Sequence, residues 1–573
     1  MAVLVLPRPL AIRPRFTPLS LVGGTALAIL LLVVVFPILL IVVASFQPAN
    51  AAQAGGLSIE PWKAALRDPG IGAAIRTTLS IVLLQQALSF PVAILIAWLL
   101  ARTDLPFSRT LEFMFWVAFF LPALPVTLGW ILLLDPQFGV INSFIASLFS
   151  LPRGPFDIYS FWGIVWVHVA STSVAVKVML LTPSFRNMDS SLEEVARTCG
   201  CSRLGSITKV MLPVMTPTLV IVLVLAIIFG LRQFEVEAVL GPPKDIFIFS
   251  TKIYRLINRD PPLFNSAMAL STVILAVLVP LIVLQRWLTS RRSYAIVSGR
   301  LQTAKVRLRR WRLPALMLVL GIAAITTIVP SVFLLLGTFM KLFGFFNVAS
   351  PWTLEHWGAV FRDPIMLKSL RNTLTLGFGA AVAGVAVCSV VGYLVIRTPY
   401  RGRASLDFIS WLPSTLPGII LSLGLLWLFL ASPVLKPLYG SMAALIVASV
   451  IASLTLGTQV IKSNLVQYGA ELEEVARISG GSWWHTYRKV MLPLTTPVLL
   501  LVAAMSFVLA ARDLSTVSLL ATSDTRPLSL LQLDFMVEGR YEAAAVVGVL
   551  VVVITTGVAL TARLLGRNTG IGQ

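Results

Sequence analysis

Long apolar runs without charged residues alternate with short polar segments along this chain. A run of about 20 apolar residues crosses the hydrocarbon core of a bilayer as a helix, so each run predicts a membrane span. The 573 residues contain twelve such runs, six on each side of a basic segment: 16–59 (most apolar over 20–46), 77–101, 113–134, 158–176, 210–231, 261–285, 313–340, 372–396, 408–435, 437–461, 490–511 and 543–562. The pattern predicts an all-α polytopic membrane protein with twelve transmembrane helices.

The composition agrees with that fold class. Hydrophobic residues make up 57% of the chain and charged residues 12%, and the mean hydropathy is +0.90. Soluble proteins carry about 25% charged residues. The first run is too long for the apolar core of a secretory signal and has no clear cleavage site, so we expect it to be a retained span.

The positions of Lys and Arg predict the orientation. A formal net charge of +21 would by itself suggest a nucleic acid partner. With the N-terminus and its Arg8, Arg13 and Arg15 in the cytoplasm, 27 of the 45 basic residues fall in cytoplasmic loops and 17 in outer loops. Membrane proteins carry such an excess on the cytoplasmic side. We therefore expect both termini in the cytoplasm, contact with anionic membrane lipid and no nucleic acid partner.

One gapped sequence occurs twice. The first copy contains Glu194, Ala196, Gly200, Leu212 and Pro213, and the second repeats every spacing 280 residues later with Glu474, Ala476, Gly480, Leu492 and Pro493. The residues before each glycine favour a helix, the glycine favours a turn, and the proline is tolerated where the next helix starts. Each copy predicts two short helices around a turn on the cytoplasmic face. For one copy alone, an ordinary connection between spans is an equal alternative.

The two halves also resemble each other outside this sequence. Several residues of the first half recur 295 positions later in the second half: Trp62, Asp68, Arg76 and Arg102. The offset then falls to 280, and we place the 15 extra residues of the first half in its outer loop, 135–157. This predicts a parallel duplication about an axis normal to the membrane. The predicted parts are a first half at 1–290 with its gapped sequence near 190–213, a basic linker at 291–312, and a second half at 313–573 with its copy near 470–493.

Two spans carry paired prolines, Pro122 with Pro125 and Pro413 with Pro417. Proline removes a backbone hydrogen bond and kinks a helix, and the freed carbonyls are tolerated where they line a cavity or meet another helix. We interpret both pairs as broken helices at a translocation path. A plain packing kink is the alternative.

Arg232 and Arg512 end the fifth span of their halves, again 280 residues apart. One hypothesis places both at the outer mouth of the path as a cationic vestibule for an anionic solute, because a guanidinium donates to oxygens in a planar fork. The alternative is that each arginine reaches the membrane interface as an anchor.

Several kinds of chemistry are not predicted. The chain has three cysteines and three histidines, without a Cys-x-x-Cys pair or a metal-binding spacing. The Gly-x-x-x-x-Gly-Lys-Ser/Thr sequence that cradles phosphates does not occur. We therefore predict no catalytic residue, metal or cofactor in this chain, which is then not an enzyme, and expect another subunit to bind any ATP that drives it.

The duplicated sequence resembles the EAA loop of permeases in binding-protein-dependent ABC importers, with Val195 and Val475 where that family more often has Ala. The resemblance implies two MetI-like six-helix repeats in the bacterial inner membrane. It also implies that both loops dock on an ATPase subunit, present in two copies, and that a periplasmic or lipid-anchored binding protein delivers the solute. By the same resemblance, the residues named above in the two copies couple the ATPase to the membrane halves.

The fused architecture is most similar to importers of iron(III), thiamine and 2-aminoethylphosphonate, and more distantly to those of polyamine and sulfate. The segment from Phe234 to Tyr254 looks closest to the iron(III) type, which implies iron(III) as the solute. A twelve-helix secondary transporter, an ion channel and a membrane scaffold are the alternatives of other classes. None of these explains two matched cytoplasmic loops, and co-purification with a soluble ATPase would separate them from a permease.

Overall fold

The computed structural model describes residues 18–47, 56–188, 195–196, 198–290, 305–346, 348, 350–469 and 471–568. The regular secondary structure in these ranges is helical, without a β-strand beyond two isolated bridges. The first-half α-helices are Pro18–Leu30, Phe36–Ala44, Glu60–Arg67, Pro69–Arg102, Ser108–Phe120, Ala123–Leu134, Val140–Phe149, Phe161–His168, Val174–Arg186, Arg203–Ser206, Leu212–Leu231, Glu235–Leu240, Phe249–Ile257 and Phe264–Ser290.

The second half has a closely similar series. Its α-helices are Arg312–Ala323, Val329–Gly337, Glu355–Arg362, Pro364–Arg397, Arg403–Trp411, Gly418–Ala431, Met442–Gln467, Glu471–Ile478, Trp483–Thr486, Leu492–Arg512, Leu528–Val537 and Tyr541–Asn568. The outer loop predicted to hold the extra residues of the first half contains the helix Val140–Phe149, where the second half has only the 3₁₀ turn Lys436–Leu438.

Within the described ranges, ten helices are long and apolar enough to cross a membrane. Two further spans are bent pairs, which brings the number to twelve if each pair counts as one span. The first pair joins Ser108–Phe120 to Ala123–Leu134 at 103°, and the second joins Arg403–Ser414 to Gly418–Ala431 at 115°. The predicted fold class, an all-α polytopic membrane protein, is confirmed, but these two predicted spans are not single helices.

The second span of each half begins and ends in the same way. Pro69–Arg102 and Pro364–Arg397 each have 34 residues. Asp68 and Asp363 precede them as N-caps, and each carboxylate accepts a hydrogen bond from a first-turn N–H, at 2.9 Å and 2.8 Å. An aspartate cap satisfies a donor that the helix leaves free. These matched ends place equivalent side chains at equivalent depths in the two halves.

The halves are interlocked through their first spans. Phe36–Ala44 of the first half packs against Gly418–Ala431 of the second, and Val329–Gly337 of the second packs against Ala123–Leu134 of the first. Each broken span is therefore covered by a helix from the opposite half. The hydrophobic core follows this exchange, because its two largest clusters draw residues from both halves.

Glycine makes this close approach possible at matched positions. A Cβ at Gly129 would lie 2.2 Å from the carbonyl oxygen of Pro330, and a Cβ at Gly424 would lie 3.0 Å from the Cβ of Pro37. Small residues let membrane helices approach at the level of their backbones. Gly129 in particular admits no side chain unless the facing helix moves.

Candidate transport path and coupling loops

The two copies of the gapped sequence form the same turn. Gly200 and Gly480 have φ of +80° and +82°, in the left-handed region that side chains with a Cβ disfavour. In each copy, the N–H after the glycine donates to the carbonyl five residues earlier, Ala196 at 2.9 Å and Ala476 at 3.0 Å. This is the hydrogen bond of a Schellman helix end, so the short helix ends at the same residue in both loops.

The predicted docking residues differ in exposure. Glu474 and Gly480 are exposed, and Ala476 is partly exposed. Ala196 is buried, with 6% of its surface accessible, and Glu194 lies outside the described residues. The second loop is thus described completely at its predicted positions, whereas the first is described only from its alanine onward.

An outward-facing apolar side chain accompanies each turn. Val195 and Val475 are 61% and 62% exposed, and a Cβ at Gly200 or Gly480 would meet nothing within 4 Å. A single exposed valine is ordinary on a protein surface, so the signal is that an exposed valine beside an open glycine turn recurs in two loops. Both loops present this combination.

Each loop continues into the fifth span through a π-helical turn, Ile207–Met211 in the first half and Tyr487–Met491 in the second. The predicted residues Leu212, Pro213, Leu492 and Pro493 follow directly, at the start of the α-helices. Proline cannot donate to the carbonyl four residues earlier, and the wider π turn lies where that bond is lost. Loop and span are therefore one continuous helical segment.

Sequence reasoning missed Glu473, the neighbour of a predicted docking residue. Glu473 is only 6% exposed. One carboxylate oxygen accepts a hydrogen bond from the Tyr393 hydroxyl at 3.1 Å, and the other lies 3.6 Å from Nε of Arg397. Arg397 also donates to the carbonyls of Leu465 and Tyr468, each at 2.7 Å. These contacts tie the second loop to the ends of two spans, and two adjacent glutamates in the motif were the only sequence signal.

The paired prolines lie at the two breaks. Pro122 and Pro417 are the N-caps of the helices that follow the breaks. Pro125 lies in the first turn of its helix and Pro413 in the 3₁₀ turn before the break. All four are buried. The bends exceed what a proline kink in a continuous helix produces, so the geometry agrees with the interpretation as broken helices, while their role in a translocation path stays a prediction.

Arg232 and Arg512 each reach across to the broken helix of the other half. Nε of Arg232 donates to the carbonyl of Leu416 at 2.9 Å, and Nη1 of Arg512 donates to the carbonyl of Phe119 at 2.8 Å. The last carbonyls of a helix have no partner within it, and these two flank the breaks. Each arginine therefore satisfies a backbone group that the break of the opposite half leaves free.

The two arginines belong to a cluster with mixed charge. Glu235, three residues after Arg232, interacts electrostatically with Arg512 and Asp513, and Asp513 also interacts with Arg232. Two cations and two carboxylates, one of each from either half, thus meet between the halves. The predicted cationic vestibule stays a prediction, and the acidic neighbours reduce its positive charge.

A line of polar side chains lies inside the first half. Lys177, predicted to lie at a span end, is buried inside the segment Phe161–Arg186 with 2% exposure. Its ammonium donates to Ser89 Oγ at 2.8 Å, Ser173 Oγ at 2.7 Å and the Ser173 carbonyl at 3.1 Å. An ammonium has three donors, so all are used. Among the residues that the structure describes, no carboxylate lies within ion-pair distance of it.

Further polar side chains of the first half form pairs with each other. Nε2 of His168 lies 2.8 Å from a carboxylate oxygen of Glu237, and the two residues are 5% and 0% exposed. Gln233, next to Arg232, donates to the side-chain oxygen of Gln85 at 3.1 Å. Polar groups at membrane depth face the protein interior and often mark a substrate path. They are absent from the sequence prediction because none of them belongs to a recognisable motif.

Five of the polar residues described above have small or apolar counterparts in the second half, whereas Ser173 and Gln233 have the polar counterparts Ser453 and Asp513. Glycine stands at the positions of Ser89 and Lys177, alanine at those of Gln85 and His168, and valine at that of Glu237; these counterparts are Gly384, Gly457, Ala380, Ala448 and Val517. The framework contacts are shared by the two halves, whereas these five polar side chains occur in the first half alone. In the described ranges, no group of three His, Cys, Asp or Glu residues could hold a metal ion.

Part of the second half matches a known family of membrane proteins. Residues 384–570 match the model of the family "binding-protein-dependent transport system inner membrane component". The chain is 27% identical over 449 residues to a probable ABC transporter permease protein, y4fN, of Sinorhizobium fredii. The match covers 76% of this chain and 77% of that protein. Together with the membrane helices, these findings confirm the resemblance to the MetI-like permeases of ABC importers.

Two relatives are named for ferric transport. The chain is 26% identical over 413 residues to a putative ferric transport system permease protein of Haemophilus influenzae and 24% identical over 447 residues to one of Actinobacillus pleuropneumoniae. The matches cover 71% and 77% of this chain, and 63% of the length of each relative. A chain of a solved bacterial alginate ABC transporter matches 47% of this chain and 94% of its own at 20% identity, with a TM-score of 0.41.

Proposed function

We propose that this chain is the membrane permease of an ATP-driven importer and takes its solute from a binding protein. The observation that carries this proposal is the pair of matched loops, each with an open glycine turn, an exposed valine and a continuous helical connection to the fifth span. Two such loops fit two copies of an ATPase subunit, each docking on one loop. ATP hydrolysis then resides on that partner, and this chain contributes the path and its coupling.

We infer iron(III) as the solute. The names of two relatives support this choice, and a relative named for 2-aminoethylphosphonate transport, 23% identical over 222 residues, supports the second candidate. The test is uptake of radiolabelled iron(III) and of labelled 2-aminoethylphosphonate by cells that express the permease with its genomic neighbours. Iron uptake that depends on this chain supports the proposal, whereas phosphonate uptake without iron uptake contradicts it.

The orientation is also a proposal, with both termini and both loops in the cytoplasm. Cys199 is exposed beside the first turn, and Cys388 is buried. An impermeant thiol reagent should therefore label Cys199 in inside-out vesicles and not in intact cells, on a Cys388→Ala background. Labelling in intact cells would contradict the orientation.

We infer that Arg232 and Arg512 act as cross-half ties between the breaks. Their bonds to Leu416 and Phe119 make the position of each broken helix depend on the fifth span of the other half, which continues into a coupling loop. A motion of the loops is thus carried to both breaks together. The vestibule hypothesis requires in addition that the guanidinium groups meet the solute.

A further inference from the structure

A cavity of about 530 Å³ lies beside the first coupling loop, on the face that carries both loops. It is open on one side and is lined by Trp98 and Leu99 of the second span, Ile207 and Met211 of the π turn, and residues between Val306 and Leu318. Apolar side chains form nearly all of its lining. The cavity therefore joins three parts of the chain: a first-half span, the exit of the first loop, and the start of the second half.

The linker end that borders this cavity is fixed to the first half. The N–H of Val306 donates to the carbonyl of Arg102 at 2.8 Å, and the N–H of Asp104 donates back to Val306 at 3.2 Å. The N–H of Leu308 donates to the carboxylate of Asp104 at 2.8 Å. The cavity is thus bounded by ordered backbone.

Two polar atoms in this wall have no hydrogen-bond partner within the described ranges. They are the indole Nε1 of Trp98 and the hydroxyl of Ser206, a residue with 4% exposure. In the second half, the counterparts are Tyr393, whose hydroxyl donates to Glu473, and Thr486, whose hydroxyl donates to the carbonyl of Ser482. The equivalent polar groups of the second half thus have partners, while Glu193, the counterpart of Glu473, lies outside the described residues.

The rim of the cavity is cationic. Arg307 lines it, and Arg309, Arg310 and Arg312 follow, all exposed. Trp311 also lines the cavity and is 62% exposed, and tryptophan prefers the interface between membrane and water. An apolar cavity with a cationic rim on the cytoplasmic side of membrane helices suits one acyl chain with a phosphate headgroup.

We propose that this cavity is a binding site for an anionic phospholipid. Its acyl chain lies against Trp98, Met211 and Ala315, and its phosphate accepts hydrogen bonds from Arg307. The bound lipid fills the space between the linker and the π turn of the first loop. Membrane lipid thereby supports one coupling loop and not the other.

The test is native mass spectrometry of the purified full chain in mild detergent, with phosphatidylglycerol as the probe. Ala315→Trp fills the cavity, Arg307→Gln removes the rim charge, and Arg401→Gln removes an exposed arginine of the second half as the matched control. We expect wild type and the control to retain one phosphatidylglycerol that Ala315→Trp lacks. Arg307→Gln should bind it about tenfold more weakly, as expected for a lost charged hydrogen bond.

Further arms of the experiment decide between sources of the ligand. Inorganic phosphate or glycerol phosphate that displaces the lipid would place the specificity in a free anion and overturn the proposal. Equal lipid retention by wild type and both cavity variants would also overturn the proposal, because the retained lipid would then be bound elsewhere. Gel filtration checks that Ala315→Trp is folded, and Arg307→Gln, a surface change, tests the site independently.

Discussion

The two halves of this chain share their framework and differ in what lies inside it. Helix caps, glycine turns, π turns and the cross-half arginines occur in pairs at constant offsets. The buried Lys177, the His168–Glu237 pair and Gln85 have glycine, alanine and valine as counterparts. Backbone hydrogen bonds must be satisfied in both halves, which keeps the framework paired. In the proposed permease, solute passes along one path, for which polar contacts from one half are sufficient.

The largest effect is expected at the shared glycine turns. Gly200→Trp combined with Gly480→Trp should abolish uptake while the protein stays inserted, because no atom of the described residues lies within 4 Å of a Cβ at either glycine. Alanine at both sites is the control, since it adds only the strain of a left-handed residue, about 1 kcal/mol each. Uptake by the tryptophan double variant at the wild-type rate would remove the coupling role, and unequal single variants would rank the two loops.

The second effect concerns the cross-half ties. Arg232→Gln with Arg512→Gln should lower uptake strongly, since each lost charged hydrogen bond is worth about 1.5–3 kcal/mol, and Arg→Lys at both sites should lie between that variant and wild type. ATPase activity stimulated by binding protein, measured in proteoliposomes, should fall in parallel. Normal transport by the glutamine variant would leave the arginines as anchors at the span ends.

The buried lysine tests the difference between the halves directly. Lys177→Met should preserve the fold, because Ser89 and Ser173 also bond to each other at 3.1 Å, and removing a buried charge is often neutral for stability. We expect uptake to fall if the first half alone supplies polar contacts to the solute. Gly457→Ala, at the counterpart in the equivalent span of the second half, shows what packing damage alone does to uptake, because a Cβ there would lie 2.7 Å from Sγ of Cys388. Equal uptake by Lys177→Met and wild type would assign the lysine to packing.

The His168–Glu237 pair allows a double-mutant cycle in which each residue is replaced by its counterpart from the second half. His168→Ala alone leaves a buried carboxylate without a partner, and such a loss costs about 3–5 kcal/mol. His168→Ala with Glu237→Val reproduces Ala448 and Val517, and should be more stable than either single variant in detergent melting curves. Additive losses would mean that the two side chains do not depend on each other.

The smallest effect is expected at the matched caps. Asp363→Ala should cost about 1 kcal/mol. Asp68→Ala should cost more by about 0.2–1 kcal/mol, because its carboxylate also lies 2.8 Å from Nζ of Lys252. Burial alone would raise the pKa of Asp68, but the hydrogen bonds from Lys252 and the Gly70 N–H hold it below its usual value. The stability that Asp68 adds is therefore present at neutral pH and lost as the pH falls through that lowered pKa, which melting curves against pH can follow.

Apolar runs predicted the spans because lipid forces nearly every outward residue to be apolar. They misplaced the starts of the second spans, since Arg76 and Arg371 interrupt the run while the helices begin at Pro69 and Pro364. A charged residue ends an apolar run in the sequence, but a capped helix continues through an exposed arginine. The duplicated sequence located both turns because glycine is required there by backbone geometry.

The other features of the fold and of the candidate site depend on contacts between residues that are distant in the sequence, which no local pattern encodes. Lys177 is acceptable at depth only because serines from two helices surround it, and Glu473 is buried only because Tyr393 and Arg397 come from another span. The ties from Arg232 and Arg512 join residues separated by 184 and 393 positions. Their spacing of 280 indicated equivalence but not the partner carbonyls.

The exchange of first spans has a consequence for how this protein is made. Because Val329–Gly337 covers the broken span of the first half, that half cannot close until synthesis has passed the linker and inserted the next helix. A chain released at the linker would expose Gly129 and its neighbours to lipid and become a substrate for membrane proteases. Fusion supplies the missing helix at high effective concentration. Fusion also prevents two first halves from pairing with each other. Such a pair would contain two copies of Lys177 and no second half.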